Sequence, residues 1–336
     1  MAEALHDLRI PDAPPATPAV PLPELDEGPA GARALVEYLA LRALTGGLGA
    51  LPVGILRPLE GLLARALPSL DPRHAGGARD FIRTAFPEAE ASEVEEVLRA
   101  AYRHLIDVTL RADRLRAKMV GRRLGEFFDL ELCDEAQELF EARGHGRGVL
   151  GLSAHLGWWE LTGHVLIPCG LGPAYAIIKP PKNAYLTRYM LRSRARMGAL
   201  CLPRHGAMRA LPALLRAGAT TQLLVDQRSV RGWVEAPFFG RPANCDRTFG
   251  VLARRVPKPI LVYACLGTDD PERFRFVAPR VLGPEQFADL EPEEAAARVN
   301  QHIESLIRMA PDQYFWLHDR FRGREPWEPA QALQTP

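Results

Sequence analysis

The chain has 336 residues, 47% of them hydrophobic and 25% charged, an ordinary globular composition with room for one large domain or two modest ones. Lys plus Arg (42) against Asp plus Glu (41) leaves a formal charge of +1, so bulk charge argues against a nucleic-acid partner and leaves anion binding to local clusters. The five cysteines are scattered and form no C-x-x-C spacing, which argues against a disulfide framework or a zinc site and fits a reducing compartment.

The opening residues Met1–Asp7 lack the basic-then-apolar layout of a secretory signal, so chemistry in or facing the cytosol is expected. Residues 1–31, rich in Pro and Ala from Ile10 to Pro29, read as a disordered tail. A helical, membrane-proximal region is expected over 32–130. Its apolar stretch Ala43–Leu56 carries Gly46, Gly47, Gly49, Pro52 and Gly54 and is shorter than the roughly 20 residues that span a bilayer. Two short amphipathic helices, lying at a membrane interface or packed on the body, are expected instead. Further on, Ser92 and Glu95 fit a capping box, and Val94, Val97, Leu98, Ala101, Leu105, Val108 and Leu110 supply a helical apolar face. The arginines from Arg111 to Arg123 read mostly as a solvated helix face.

From Gly146 the texture becomes α/β. Short apolar runs at Val149–Ser153, Ala174–Ile178, Thr221–Val225 and Pro259–Leu266 suit buried strands, and Arg273–Val277 alternates like another. Helical patterns occupy Ala184–Met197, Met208–Arg216, Arg247–Arg255 and Glu291–Met309. The fold class is therefore α/β, a mixed, mostly parallel sheet flanked by helices. Its domain is bounded at 131–325, after the helical N-terminal region and before a short tail at 326–336.

The most informative segment is Gly148–Glu160, in which a strand runs into a turn carrying His155 and a carboxylate follows at Glu160. On one continuous helix these side chains would point roughly 140° apart. They meet only if His155 lies in the loop and Glu160 in the next helical turn, outside the carboxyl end of a strand where α/β sheets keep reactive groups. A neutral imidazole there can take the proton of an alcohol attacking a carbonyl, while a carboxylate on its other nitrogen fixes the tautomer. A competing pattern, Gly151-Leu-Ser153-Ala-His155, approaches a hydrolase elbow but lacks the final Gly. No metal-ligand spacing occurs among the His and Cys residues.

The His155–Glu160 segment resembles the H-x4-[D/E] block of the lysophospholipid acyltransferase-like superfamily. It is most similar to the lipid A biosynthesis (lauroyl and myristoyl) acyltransferases, with related phosphatidylinositol mannoside acyltransferases. Collinear blocks extend the resemblance from about Ala32 to Arg324: Arg79–Glu88, Ile178–Pro180, Arg194–Gly198, Leu215–Gln227, Phe238–Ala243 and Tyr314–Phe321. The resemblance implies a glycerol-3-phosphate acyltransferase-like fold on the cytoplasmic face of the inner membrane, peripheral or monotopic. It implies transfer of a fatty acyl group from an acyl-carrier-protein or CoA thioester to a lipid or glycolipid hydroxyl, without cofactor or metal. By the same resemblance His155 is the general base and Glu160 its orienting carboxylate. Asp226, Gln227, Phe238, Phe239 and Gly240 would line the site, and Lys179, Arg194 and Arg196 would meet phosphate.

Departures from the family pattern include Trp158 and Asp80 where Asn is usual, and Lys179 where Arg is usual; a bulky indole at position 158 is expected to reshape the acceptor pocket. Two other classes compete: a non-catalytic, membrane-associated lipid-binding homologue, and a serine hydrolase acting through Ser153.

Overall fold

A computed structural model of the chain describes residues 2–13, 15–142, 148–196 and 198–323. The tail expected at 326–336 lies outside the described residues, as does Met197 at the end of one expected helix. The chain begins with the short helix α1 (Ala2–His6), then α2 (Ala32–Gly49), α3 (Val53–Leu70), α4 (Pro72–Ala85) and the long α5 (Ala91–Met119). Alternation follows: β1 (Phe128–Leu132), α6 (Asp134–Glu141), β2 (Val149–Ser153), α7 (Gly163–Leu166), β3 (Ala174–Ile178), α8 (Ala184–Ala195), β4 (Ala199–Pro203), α9 (Ala207–Arg216) and β5 (Thr220–Leu224). A hairpin of β6 (Trp233–Phe238) and β7 (Arg241–Asp246) precedes α10 (Thr248–Arg255), β8 (Ile260–Gly267), β9 (Phe274–Leu282) and α11 (Pro292–Met309).

Seven strands form one sheet in the order β1-β9-β8-β2-β5-β3-β4, parallel except between β8 and β9. The α/β expectation holds. Both faces are covered, and the period-2 geometry of a strand divides the core between them. Along β8, Ile260, Val262, Ala264 and Leu266 enter one hydrophobic cluster while Leu261, Tyr263 and Cys265 enter the other. That is why β2 and β8 read as unbroken apolar runs.

Strands β1 and β4 escape sequence patterning because they lie at the sheet edges. β1 carries Asp129 and Glu131, whose charges are answered by Arg273, just before β9, and by Arg275 within it, the latter pair at 2.6 and 2.7 Å. The capping box of α5 is formed by Glu90 and Glu93 rather than Ser92 and Glu95: Glu93 Oε2 accepts the Glu90 N–H at 2.7 Å. Glu95 is drawn away instead by Arg79 of α4.

Segment 1–31 departs from the tail reading. Leu5 and Ile10 are buried, and Ile10 exchanges backbone hydrogen bonds with Arg122 (2.9 Å) and Gly121 (2.8 Å). Beyond it Pro15 touches Gly198 at the start of β4, Pro23 touches Gly206 past its end, and Pro29 O accepts the Ala184 N–H at 3.0 Å. The strap thus follows the edge strand β4. Proline suits that path because it has no N–H to satisfy and little backbone entropy to lose. A low-period sequence is therefore compatible with an ordered edge cover.

Helices α2 and α3 run 18 residues each and bend by 120° at their junction. Among the described residues no single helix is long and apolar enough to cross a membrane. Most of the exposed large apolar side chains sit on this pair, among them Val36 (64% exposed), Leu39, Leu44, Ile55 and Leu62.

Candidate active site

β2 and β5 are adjacent and parallel, with Ser153 opposite Leu224. Two residues beyond each, at the carboxyl ends of the strands, come His155 and Asp226. The register therefore sets them side by side: His155 Nδ1 lies 2.9 Å from Asp226 Oδ1 and 3.2 Å from Oδ2. Nδ1–H donates to this carboxylate, which leaves Nε2 as the basic nitrogen. The Gln227 amide donates to Nε2 at 3.4 Å.

Burial works against a charge on His155, but the Asp226 carboxylate outweighs it and raises the imidazole above its ordinary pKa. Asp226, with its side chain only 1% exposed, would be raised by burial too; the facing His155 holds it below the usual carboxylate range. Asp226 is thus kept ionised beside an imidazole that can accept a proton.

The turn after β2 is held open for this purpose. Gly157 has φ +58°, and a Cβ there would stand 2.1 Å from Cys265 O, so only glycine permits the close approach to β8. Gly157 N–H donates to Gln313 O (3.0 Å), Phe315 N–H to His155 O (3.0 Å), and Trp158 N–H to Cys265 O (2.6 Å). His155 and the residues after it are consequently clamped between β8 and the C-terminal segment.

Glu160 departs from its expected part. It sits in a single 3-10 turn, Trp159–Leu161, and its carboxylate is taken by two arginines: Arg116 Nη1 at 2.7 Å and Arg194 Nε at 3.1 Å, with a second Arg194 contact. Burial would raise its pKa, but Arg194 and Arg116 together lower it. The carboxylate on Nδ1 is therefore Asp226, because parallel register aligns 155 with 226, whereas the turn aims Glu160 toward α5 and α8. Glu160 still acts on His155 through its charge, raising its pKa.

A cavity of about 440 Å³ opens beside the pair, lined by His155, Glu160, Lys179, Arg194 and Gln227, with an apolar wall that includes Ile177, Met190, Leu200, Met208 and Leu223. Lys179, Arg194 and Gln227 thus reach the site. Arg196 does not; it lines a second cleft on the other side of α8. Nor do Phe238, Phe239 and Gly240. Phe238 pairs with Arg241 across the hairpin, so Phe239 and Gly240 form its two-residue turn, both with positive φ (50° and 76°). The two Phe rings pack around Phe81 of α4, Phe239 N–H donates to Glu304 Oε1 at 2.7 Å, and Arg308 covers the Phe239 ring. An aromatic cluster between α4, α11 and the hairpin is the reason this loop is not at the cavity.

Trp158 also turns away from the site. Its buried ring meets Phe274 edge-on at 5.2 Å and lies under Arg111 at 5.5 Å, so the indole is core rather than pocket wall. Ser153 is buried as well and donates its hydroxyl to Tyr263 O at 2.8 Å. That commitment to the strand leaves the elbow reading without a free nucleophile.

Several contributors were not legible in sequence. Arg116, read as part of a solvated face, is buried. Arg320 is fully buried and donates to Gln227 O (2.8 Å) and Asn244 O (2.7 Å), pinning the backbone after Asp226. His318 Nε2 accepts the Arg228 N–H at 2.9 Å. Buried Tyr314 is raised well above its ordinary pKa by burial, with the Asp226 carboxylate adding to it. The family-like spacing of Tyr314–Phe321 hinted at the last three; nothing in the sequence marked Arg116.

Residues 32–323 match the bacterial lipid A biosynthesis acyltransferases. Similar proteins include the lipid A biosynthesis palmitoleoyltransferase of Escherichia coli (strain K12) and a lipid A biosynthesis acyltransferase of Shigella flexneri, each 29% identical over 265 residues, or 78% of this chain and 82% of theirs. A lipid A biosynthesis acyltransferase of Haemophilus influenzae is 28% identical over 182 residues, 53% of this chain and 56% of its own. With the match running from α2 through the segment that clamps His155, the chain belongs to the bacterial lipid A biosynthesis acyltransferase family and is an O-acyltransferase.

Proposed function

We propose that the His155–Asp226 pair is the general-base unit of a lipid A-type late acylation, with an acyl-carrier-protein or CoA thioester as donor. The observation that carries this reading is the dyad itself: a buried carboxylate on Nδ1, a basic Nε2, and an apolar cavity beside it. His155 Nε2 takes the proton of the acceptor hydroxyl as its oxygen attacks the thioester carbonyl. A C–O bond forms, the C–S bond breaks, and the imidazolium returns the proton to the departing thiolate. Asp226 stabilises the imidazolium without itself being protonated. Glu160 keeps Arg194 at the cavity wall, is itself held from behind by Arg116, and its charge favours the imidazolium.

The acyl chain occupies the apolar part of the cavity between β3, β4 and β5, where each buried methylene contributes about 0.8 kcal/mol. The relative named for palmitoleoyl transfer supports a long fatty chain as cargo. Lys179, at the cavity wall, is suited to a phosphate of the donor carrier. The exposed apolar faces of α2 and α3 suit peripheral contact with the cytoplasmic leaflet of the inner membrane, where acceptor and donor meet.

The test is acyl transfer to lipid acceptors by the wild-type chain and by His155→Ala, read by mass spectrometry of the lipid product. A product gaining one acyl chain is expected with wild type, and a loss of about 10²–10⁴-fold in the variant. Full activity in a folded His155→Ala protein would remove the base assignment. Stoichiometric lipid binding without any thioester turnover would favour a binding homologue instead.

A further inference from the structure

A second cleft, of about 1060 Å³, lies between α2, α5 and α8, large for a small-molecule site. Six arginines line it, Arg42, Arg114, Arg116, Arg188, Arg192 and Arg196, against two acids, Asp12 and Asp113. Asp113 offsets Arg42 and Arg116 but makes no bond to Arg192 or Arg196. Asp113 is saturated: it takes Arg42 at 3.2 Å, Ser193 Oγ at 3.1 Å, and the Arg116 and Tyr189 side chains.

Most of the arginines have a local partner. Arg114 donates to Gly49 O (3.0 Å), and Arg188 pairs with Glu27 of the strap (2.5 Å). Arg192 and Arg196 are different: both are exposed, and neither side chain has a hydrogen-bonding or ion-pair partner among the described residues. With Arg188 they recur every four residues, so Arg188 and Arg192 stand on one stripe of α8 that its C-cap residue Arg196 continues, and like charges at that spacing repel. The helix C-terminus accounts for some cationic charge there, but not for three guanidinia facing one cleft.

α2 connects this cleft to an apolar surface. Tyr38, Arg42, Thr45 and Gly49, spaced i, i+4, i+7 and i+11, face the cleft, while Val36, Leu39 and Leu44 are exposed around the rest of the same helix. An amphiphile fits that arrangement, its anionic head among the arginines and its tails along the leucines. Arg116 also joins the cleft to the catalytic cavity, since it binds Asp113 on one side and Glu160 on the other.

We infer that this cleft holds a phosphate monoester on the headgroup of a lipid acceptor, gripped by Arg192 and Arg196, and so sets which hydroxyl reaches His155. Naming the bound lipid as the acceptor rests on the acyl-transfer reading above; the phosphate site does not. Guanidinium forks bond two phosphate oxygens at once, and a doubly charged group relieves the repulsion along α8.

The experiment titrates the full chain, carrying His155→Ala so that chemistry is silent, with three probes by calorimetry: dioctanoyl phosphatidic acid, dioctanoylglycerol and inorganic phosphate. Binding of the phosphatidic acid is expected to weaken about tenfold or more in Arg192→Ala/Arg196→Ala, and less in the paired Lys variants. The diacylglycerol should bind more weakly and be indifferent to the substitutions. Both arginines are exposed, and Arg216→Ala on α9 serves as a control for loss of positive charge elsewhere. Unchanged affinity in the paired Ala variant, or equal affinity for the diacylglycerol, would overturn the site. Inorganic phosphate binding as tightly as the lipid phosphate, with the same arginine dependence, would overturn the lipid assignment. Transfer assays in the His155 background of the wild type separate the two readings: His155-dependent turnover with no phosphate site leaves only the cleft disproved.

Discussion

His155 acquires its chemistry from what stands on each ring nitrogen. Asp226 at Nδ1 raises its pKa and commits Nε2 to accept a proton, so the neutral, active form accumulates only as pH climbs past a value above about 6.5. The acid limb of kcat/KM against pH is expected there in the wild type. Asp226→Asn removes the charge that favours the imidazolium, so the limb should move to lower pH while kcat falls about 10²–10⁴-fold. A pH–rate profile of both proteins checks it; a variant whose limb stayed in place would assign the titration to another group. At the same scale, Trp158 and Ser153 show how a suggestive residue type is neutralised by direction: one ring and one hydroxyl point into the core and onto a neighbouring strand.

Element packing decides which charges are functional. α5 was expected to offer its arginines to solvent, yet Arg111 and Arg116 are buried where the helix crosses the turn carrying Glu160. The same crossing buries His164 of α7, whose Nε2 lies 3.5 Å from Arg116 O. Burial first, and the Arg116 charge second, push its pKa down to about 3. The unfolded chain takes up a proton below about 6.5 while the folded site cannot, so stability is full above that pH and is lost as pH falls toward about 3. Between pH 6.5 and 5 this group should cost about 2 kcal/mol, at about 1.4 kcal/mol per unit. Urea unfolding across that range should therefore give a shallower pH dependence for His164→Leu than for wild type. Parallel slopes would mean that His164 accepts a proton within the fold.

At the scale of the whole molecule, the bent pair α2–α3 carries most of the exposed large apolar side chains among the described residues, and α2 also borders the cationic cleft. Lipid contact there is expected to supply much of the association with membranes. Leu39→Ser and Leu44→Ser should each weaken partitioning onto phosphatidylglycerol-containing vesicles, by about tenfold for a side chain fully buried in the interface. Co-sedimentation measures this directly. Partitioning that was unchanged in the double variant, yet lost at high salt, would assign the association to the arginines alone.

What the sequence determined by itself was local and periodic. Apolar runs marked β2, β3, β5 and β8, amphipathic repeats marked α8 to α11, and His155 after a strand marked the reactive turn. These follow from side-chain burial along one segment, which a linear pattern records. The edge strand β1 was hidden because a half-exposed strand carries charges, here Asp129 and Glu131, like any surface segment, and β4 because five residues ending in Pro203 are too short to show a period. The strap was hidden because proline order needs a partner edge, not a period. Above all, tertiary structure chose the carboxylate. Nearness in sequence pointed to Glu160, but parallel register between β2 and β5 brings Asp226 to Nδ1, while helix crossing gives Glu160 to Arg116 and Arg194. Spacing along the chain constrains what can meet within a turn; strand order decides what meets across the sheet.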